Sequence, residues 1–386
     1  MKWEKKKIED ICLNITSGGT PKSTNEAFYN PQEIPWLKTG EVNYCRIYDT
    51  EKYISKEGLY NSSAKIIPTN SVIVAMYGQG DTAGRVAINK IPLTTNQACC
   101  NLIINDKVAD YEFVYYKLST LYEKMVSLKN GGAQPNLNVK IIKSIEISLP
   151  PLPVQQCIAS ILSAYDDLIE NNQKQINLLE EAAQRLYKEW FVDLRFPGHE
   201  GVKVVDGVPE GWKKEKLIEL AELKAGGDKP KIFSKIKSNI CKVPIFSNGL
   251  ENEGLFGYTD KADIGQESIT ISARGNVGYT CLRREPYLAI VRLICVIPRK
   301  MHISTYLYFY LKHTNYNSNG SAQQQLTIPM IKNTVVCVPD ENMLSDFDDK
   351  ARCYFDLVDA LKSKISSLRE ARDRLLPKLM SGEIEV

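Results

Sequence analysis

No run of apolar residues in this 386-residue chain approaches the roughly 20 that a membrane span needs, and the start "MKWEKKKIED" is too charged for a signal peptide. These absences favour a cytoplasmic protein with no membrane. Only three histidines occur, and none of the ten cysteines stands in a CxxC pair, so the cysteines read as reduced thiols and metal binding is not expected. GxxxxGK[ST], GxSxG and HExxH are missing, as is an Asn/Asp-Pro-Pro-aromatic methyltransferase motif. Catalysis within this chain is therefore not expected, and no cofactor is assigned to it. One match to a nuclease pattern, Asp340, Asp348 and Lys350 in "PDENMLSDFDDK", requires carboxylates converging on a metal. Asp348 and Lys350 fall at the start of a helical pattern, where acidic residues suit a helix N-terminus.

What the chain does contain is a repeat. "NGGAQPNLN" (Asn130–Asn138) returns as "NGSAQQQL" (Asn319–Leu326), and the offset of 189 persists through Asp167/Asp356 and Arg185/Arg374. Upstream the copies align at 209 (Trp3 with Trp212, Pro21-Lys22 with Pro230-Lys231), then at 197 (Ser71 with Ser268) and 194 (Gly84 with Gly278). One unit is written twice, each copy a variable globular part followed by a helix. The divisions are 1–150, 151–195, 196–338 and 339–386. Basic residues exceed acidic ones in 1–150 (18 against 15) and 196–338 (19 against 13), and the balance reverses in 151–195 (4 against 7) and 339–386 (8 against 11).

After Pro150–Pro153 an apolar stripe with alternating spacings of 4 and 3 begins, the seam of a coiled coil: Ile158, Leu162, Tyr165, Ile169, Asn172, Ile176, Leu179, Ala183, Leu186 and Trp190. The second copy supplies Val358, Leu361, Ile365 and Leu368, with the charged Arg372 on the same stripe. Pro377 is expected to end or kink that helix near Leu376. Each helix of roughly 38 residues would span about 57 Å. Paired antiparallel, the two would hold the globular parts apart like the ends of a dumbbell; two unrelated core helices are the alternative. Asn172 either fixes the register of a buried seam or occupies a partly exposed position.

The globular parts are expected to be α/β (mixed). Strand-like runs are "SVIVAMY", "CCNLII", "SIEISL", "SITISA" and "LICVIP", and helices are expected at Tyr111–Met125 and Ser304–His313. Two polar loops recur at equivalent places: "GQGDTAGR" with "RGNVGY", and the phrase that defines the repeat. Their amides and guanidinium groups suit hydrogen bonding to base edges. The candidate DNA-contacting residues are Gln79, Arg85, Gln134 and Asn136 in the first copy, and Arg274, Asn276, Gln323 and Gln324 in the second. Loop polarity alone would also explain such residues.

The connector "LPPLPVQQCIASILSAYDDLIENNQKQINLLEEAAQRLYKEWF", the terminal "REARDRLLPKLMSGEI" and the paired AQPNL and AQQQL loops resemble the specificity (S) subunit of Type I restriction-modification enzymes across essentially the whole chain. The second connector departs, with "VPDENMLSDF" in place of the PLPxQQ element. The resemblance implies two target recognition domains, each reading half of a split, asymmetric site in double-stranded DNA. It implies helices that set the gap and dock two methylation (M) subunits carrying S-adenosylmethionine. Restriction (R) subunits would add ATP- and Mg-dependent translocation and cleavage. The other readings are a stand-alone nuclease and a coiled-coil scaffold that does not bind DNA.

Overall fold

A computed structural model describes residues 3–78, 80–129, 136–316 and 325–386. The chain forms two compact units: residues 1–172 with 364–386, and residues 173–363. The division falls inside both long helices.

In the first unit the mixed α/β reading is realised by a five-stranded sheet. Cys12–Ser17, Cys99–Ile104, Val72–Ala75 and Val86–Asn89 are antiparallel neighbours, and Cys45–Ile47 adds to the last strand in parallel. Val72–Ala75 is buried throughout, which is why it reads as a continuous apolar run without alternation, and Val86–Asn89 is buried likewise. A smaller sheet orders Tyr53–Ile54, Ile34–Leu37 and Thr94–Thr95. Glu4–Lys7 pairs antiparallel with Glu146–Leu149 and so brings the start of the copy beside the connector.

The second unit repeats these pairings. Ala221–Ala225, Ile294–Pro298, Ser268–Ile271 and Thr280–Arg283 form a four-stranded sheet. Leu255–Thr259, Val243–Phe246 and Leu288–Ala289 form the smaller one, and Lys213–Lys216 pairs with Val335–Val338. Among the described residues the parallel edge strand Cys45–Ile47 has no counterpart. The offset between copies falls there from 209 to 197, so the missing residues removed an edge strand and left the central pairings intact.

The helix Ser304–His313 forms as expected. The expected helix Tyr111–Met125 is instead two, Tyr111–Ser119 and Tyr122–Ser127. At the break the Ser119 and Thr120 hydroxyls donate to the carbonyls of Tyr116 and Lys117, local bonds that compete with helical continuation.

The central helix runs Leu152–Tyr187 and continues as a π-turn over Lys188–Val192; the C-terminal helix runs Glu341–Ser381. Pro151 lacks an N–H, but its carbonyl accepts from the Val154 and Gln155 amides and opens the central helix. The buried Gln155 side chain then ties that helix to the domain, donating to the Pro150 carbonyl (2.9 Å) and accepting from the Asp110 amide (3.0 Å). At the equivalent position of the second copy stands buried Leu344, and the helix is capped by Asp340, whose Oδ1 accepts from the Met343 amide (3.0 Å). The departure from PLPxQQ thus exchanges a polar tie for an N-cap and a core leucine.

Pro377 does not end the C-terminal helix, contrary to expectation: helical residues continue to Ser381. Leu379 and Met380, beyond the proline, are buried in the first unit's core, and their packing holds the final turn despite one lost backbone hydrogen bond.

Within each unit the two helices run antiparallel. In the first, Ile158 and Leu162 share a core with Leu375, Leu376, Leu379 and Met380, while Asp166 further along pairs with Arg372 (2.5 Å). In the second, Trp190 packs on Phe347 and Ala183 shares a cluster with Ala351 and Tyr354. The seam residues Ile158, Leu162, Ile169, Asn172, Ile176, Val358 and Ile365 are buried, and Leu179, Leu361 and Leu368 are half-buried. Asn172 is 2% exposed, which removes the exposed-seam reading for it.

Arg372, a charge on an apolar stripe, is explained by its partner. Burial opposes its charge, but the Asp166 carboxylate outweighs this and holds its pKa above the ordinary arginine value; the Tyr116 hydroxyl donates to the same carboxylate (2.5 Å). Asp166→Ala would leave Arg372 only its exposed partner Asp373 (2.8 Å) and the Tyr116 hydroxyl without its acceptor, and is expected to destabilise the first unit by about 2 kcal/mol. Hydrogen exchange in Tyr111–Ser119 reads this directly, and unchanged protection there would refute the pairing as a stabilising element.

Candidate nucleic-acid interface

Two loops are held against each other in each unit, by the same bonds in both. In the first, strands Val72–Ala75 and Val86–Asn89 are joined by a hairpin loop whose neck is closed by Ala75 N–H to Arg85 O (2.9 Å) and Gly84 N–H to Ala75 O (2.8 Å). In the second, Ser272 N–H to Tyr279 O and Gly278 N–H to Ser272 O (both 2.9 Å) close the corresponding neck. Gly84 and Gly278 have φ of +96° and +87°, a conformation glycine adopts without penalty. An added Cβ would meet the ring of Tyr122 under Gly84 and of Tyr316 under Gly278. These tyrosines are 194 residues apart, as the glycines are.

The second loop docks onto the first through its leucine. Leu137 N–H donates to Met76 O (3.0 Å), and Leu326 N–H donates to Ala273 O (2.9 Å). Both leucines are buried and the residues around them are polar, so one apolar anchor presents a set of donors and acceptors that differs between copies.

Of the residues expected to contact DNA, Gln79, Gln134, Gln323 and Gln324 lie outside the described residues. Arg85 is half-buried at the hairpin neck and donates to Asn43 Oδ1 (3.1 Å), while Asn136 is half-buried beside the Leu137 anchor. Arg274 and Asn276 are exposed on the second hairpin, and Arg274 donates to Gln325 Oε1 (3.0 Å), which bridges the two loops. The fold therefore joins Arg274 to the polar phrase through Gln325, while Arg85 and Asn136 lie on the two docked loops of the first unit.

Sequence reasoning missed three features of the two units. Tyr44, beside Arg85, packs edge-on against Tyr122, and burial, with Tyr122 nearby, pushes its hydroxyl pKa up to about 12. In the second unit Asn248 joins the hairpin to a further loop, accepting from the Ala273 amide and donating to the Val291 carbonyl (2.7 Å each). That loop holds Val291 and Arg292 exposed, with φ of +55° and +59°, and strain in non-glycine residues concentrates where ligands are gripped. Nothing in the sequence signals either feature.

The third feature was visible only as net charge. Residues 231–242 carry Lys231, Lys235, Lys237 and Lys242 with no acidic residue, whereas the equivalent 22–33 carry Lys22 against Glu26 and Glu33. Lys229 and Lys235 lie over the rings of Phe233 (3.8 Å) and Phe256 (4.2 Å). Ser234 bridges to Tyr258, so this segment continues the edge of the smaller sheet. Lysines also protect a sheet edge from pairing with other chains, a role compatible with binding polyanions.

The nuclease-like residues have other occupations. Asp340 caps a helix, Asp348 is fully buried between Thr305 and Arg352, and Lys350 lies over the Trp190 ring (5.6 Å). Among the described residues no group of three His, Cys, Asp or Glu side chains could hold a metal ion. All ten cysteines are free thiols.

The family model for the type I restriction modification DNA specificity domain matches residues 1–181 and 209–349. The MjaIX specificity subunit of Methanocaldococcus jannaschii is 31% identical over 100% of this chain and 94% of its own length. The HindI specificity subunit of Haemophilus influenzae is 24% identical over 99% of both. In structure, the S subunit of a type I restriction-modification system from M. genitalium aligns over 98% of this chain and 96% of its own, with a TM-score of 0.61 at 18% identity, a shared fold. A repeated domain with paired loops, followed each time by a long helix, is thus matched in sequence across the whole chain, and the protein belongs to the type I restriction-modification DNA specificity family.

Proposed function

We propose that the chain is the DNA-reading subunit of a type I restriction-modification complex and that each unit reads one half of a bipartite, asymmetric site in double-stranded DNA. The observation that carries this is the repeated loop pair: loops of unlike length and side chains are closed by equivalent backbone bonds at Arg85 and Tyr279 and at Leu137 and Leu326. Two equivalent loop pairs with unlike side chains suit two half-sites of unlike sequence. Arg85, Asn136, Arg274 and Asn276, with Gln79, Gln134, Gln323 and Gln324, are the proposed readers, and nearby lysines hold phosphates.

In this reading the helices set the gap between half-sites and dock two methylation (M) subunits, which supply S-adenosylmethionine chemistry on adenine. Restriction (R) subunits supply ATP- and Mg-dependent translocation and cleavage. The chain itself positions DNA and performs no bond-making step. Co-expression of variants with the methylation subunits tests the division of labour. Arg274→Ala with Asn276→Ala is expected to relax base preference in one half of the modified motif only, each lost base contact costing about 1–3 kcal/mol of discrimination. Relaxation in both halves, or in neither, would count against independent readers.

A further inference from the structure

Each globular domain meets its long helix in an apolar contact and, further along, in an arginine clamp. In the first unit one tie is apolar: Ile158 and Leu162 lie in the cluster built around Phe113. The other comes nine residues beyond Ile158. Arg46, its side chain 5% exposed, pairs with Asp167 and with Glu170 (3.7 Å) on the helix, and with Glu112 (3.3 Å) on the domain. The Tyr48 hydroxyl adds a bond to Glu170 (2.9 Å). Burial opposes the charge on Arg46, but the hydrogen bond to Asp167 and the surrounding acidic groups outweigh it and keep its pKa above the ordinary arginine value.

The second unit has the same plan. Phe347 is the apolar tie, and nine residues beyond it Arg284 pairs with Asp356 and with Asp359 (2.6 Å) on the helix, and with Glu267 (3.9 Å) on the domain. Nine helical residues, about 13 Å, separate the apolar contact from the clamp; in the second unit Arg352 on the helix also holds Glu267 (2.9 Å) and Lys362 pairs with Glu253, so Arg284 acts there within a wider ion-pair network that restrains the domain away from the apolar contact.

The acidic pairs are equivalent in the repeat, Asp167 with Asp356 and Glu170 with Asp359, but the arginines are not. Arg46 lies on Cys45–Ile47, the strand without a counterpart in the second unit. Arg284 corresponds instead to Lys90, whose amine reaches Glu112 (3.3 Å) on its own domain. The same helix position is therefore gripped from two unrelated parts of the fold. Incidental surface pairing does not predict that recurrence, and exposed ion pairs add little stability.

We propose that Arg46 and Arg284 are positioning residues that fix the angle of each recognition domain on its helix and so hold the number of base pairs between the half-sites to a single value. This rests on the DNA-reading function proposed above. The test is single-molecule sequencing of DNA methylated by the full chain with its methylation subunits, comparing wild type with Arg46→Gln, Arg284→Gln and the double variant. Asp359→Asn and Glu170→Gln weaken the clamps from the helix side and serve if an arginine variant does not fold.

The expected result is unchanged bases within each half-site, with at least a tenfold rise in the modified fraction of sites whose gap is one base pair longer or shorter. Arg284→Lys, which cannot hold two carboxylates in a fork, should be intermediate. Lower methylation with an unchanged gap in all variants would overturn the proposal and leave the clamps as stabilising contacts only. No motif dependent on the wild-type chain would overturn the reading function and this inference together.

Discussion

Phe347→Ala is expected to cost the second unit about 4 kcal/mol, the middle of the range for removing a buried aromatic ring. Phe347 is fully buried at the point where both helices and the globular domain meet. Its ring lies 4.8 Å from Phe191, 5.9 Å from Trp190 and 6.3 Å from Tyr187 and from Phe309, by ring centroids. The cavity left by its removal would be walled by rigid rings that cannot collapse into it. Hydrogen exchange in Ser304–His313 should rise with the loss, whereas Leu357→Ala, 53% exposed on the same helix, should change stability by no more than about 0.5 kcal/mol. Equal effects of the two substitutions would mean that this cluster does not hold helix and domain together.

Replacing Lys229, Lys231, Lys235, Lys237 and Lys242 by Gln is expected to weaken DNA binding uniformly across sequences. Each phosphate contact releases counterions, and each lost contact should reduce the slope of log affinity against log salt by about 0.9. Five substitutions should therefore lower the slope by up to about 4.5, with base preference in the second half-site unchanged. The equivalent segment of the first unit carries Glu26 and Glu33, so the single substitution Lys22→Gln should lower the slope by no more than about 0.9. A filter-binding salt titration of the assembled complex distinguishes the two. An unchanged slope in the quintuple variant would assign these lysines to protecting the sheet edge alone.

The repeat made much of the fold legible. Positions 189 to 209 residues apart in the sequence make the same backbone bonds, as Ile8 N–H to Ile145 O and Leu217 N–H to Thr334 O show. Once the offsets were known, the sheets of the two units had to correspond. Hydrophobic spacing located both long helices because their buried stripes follow a single period. Local rules failed where tertiary contacts decided the outcome. Pro377 lies within the C-terminal helix because Leu379 and Met380 are buried beyond it, and the strand-like, lysine-rich segment 231–242 was read only as charge.

The site was legible as loops and not as contacts. Amide-rich phrases recur visibly, but Arg46 meets Asp167 across 121 residues, and Arg284 meets Asp356 across 72. No local pattern encodes such pairs, and the non-equivalence of the two arginines hides them from the repeat as well. The bond from Asn248 to the strained Val291 loop is invisible for the same reason.

Single-molecule sequencing of DNA modified by this chain with its methylation subunits, set against those subunits alone, tests the central claim most directly. Two unlike half-sites separated by one fixed gap, modified only when the chain is present, are the predicted result. A properly assembled complex that modifies no chain-dependent motif would contradict the account.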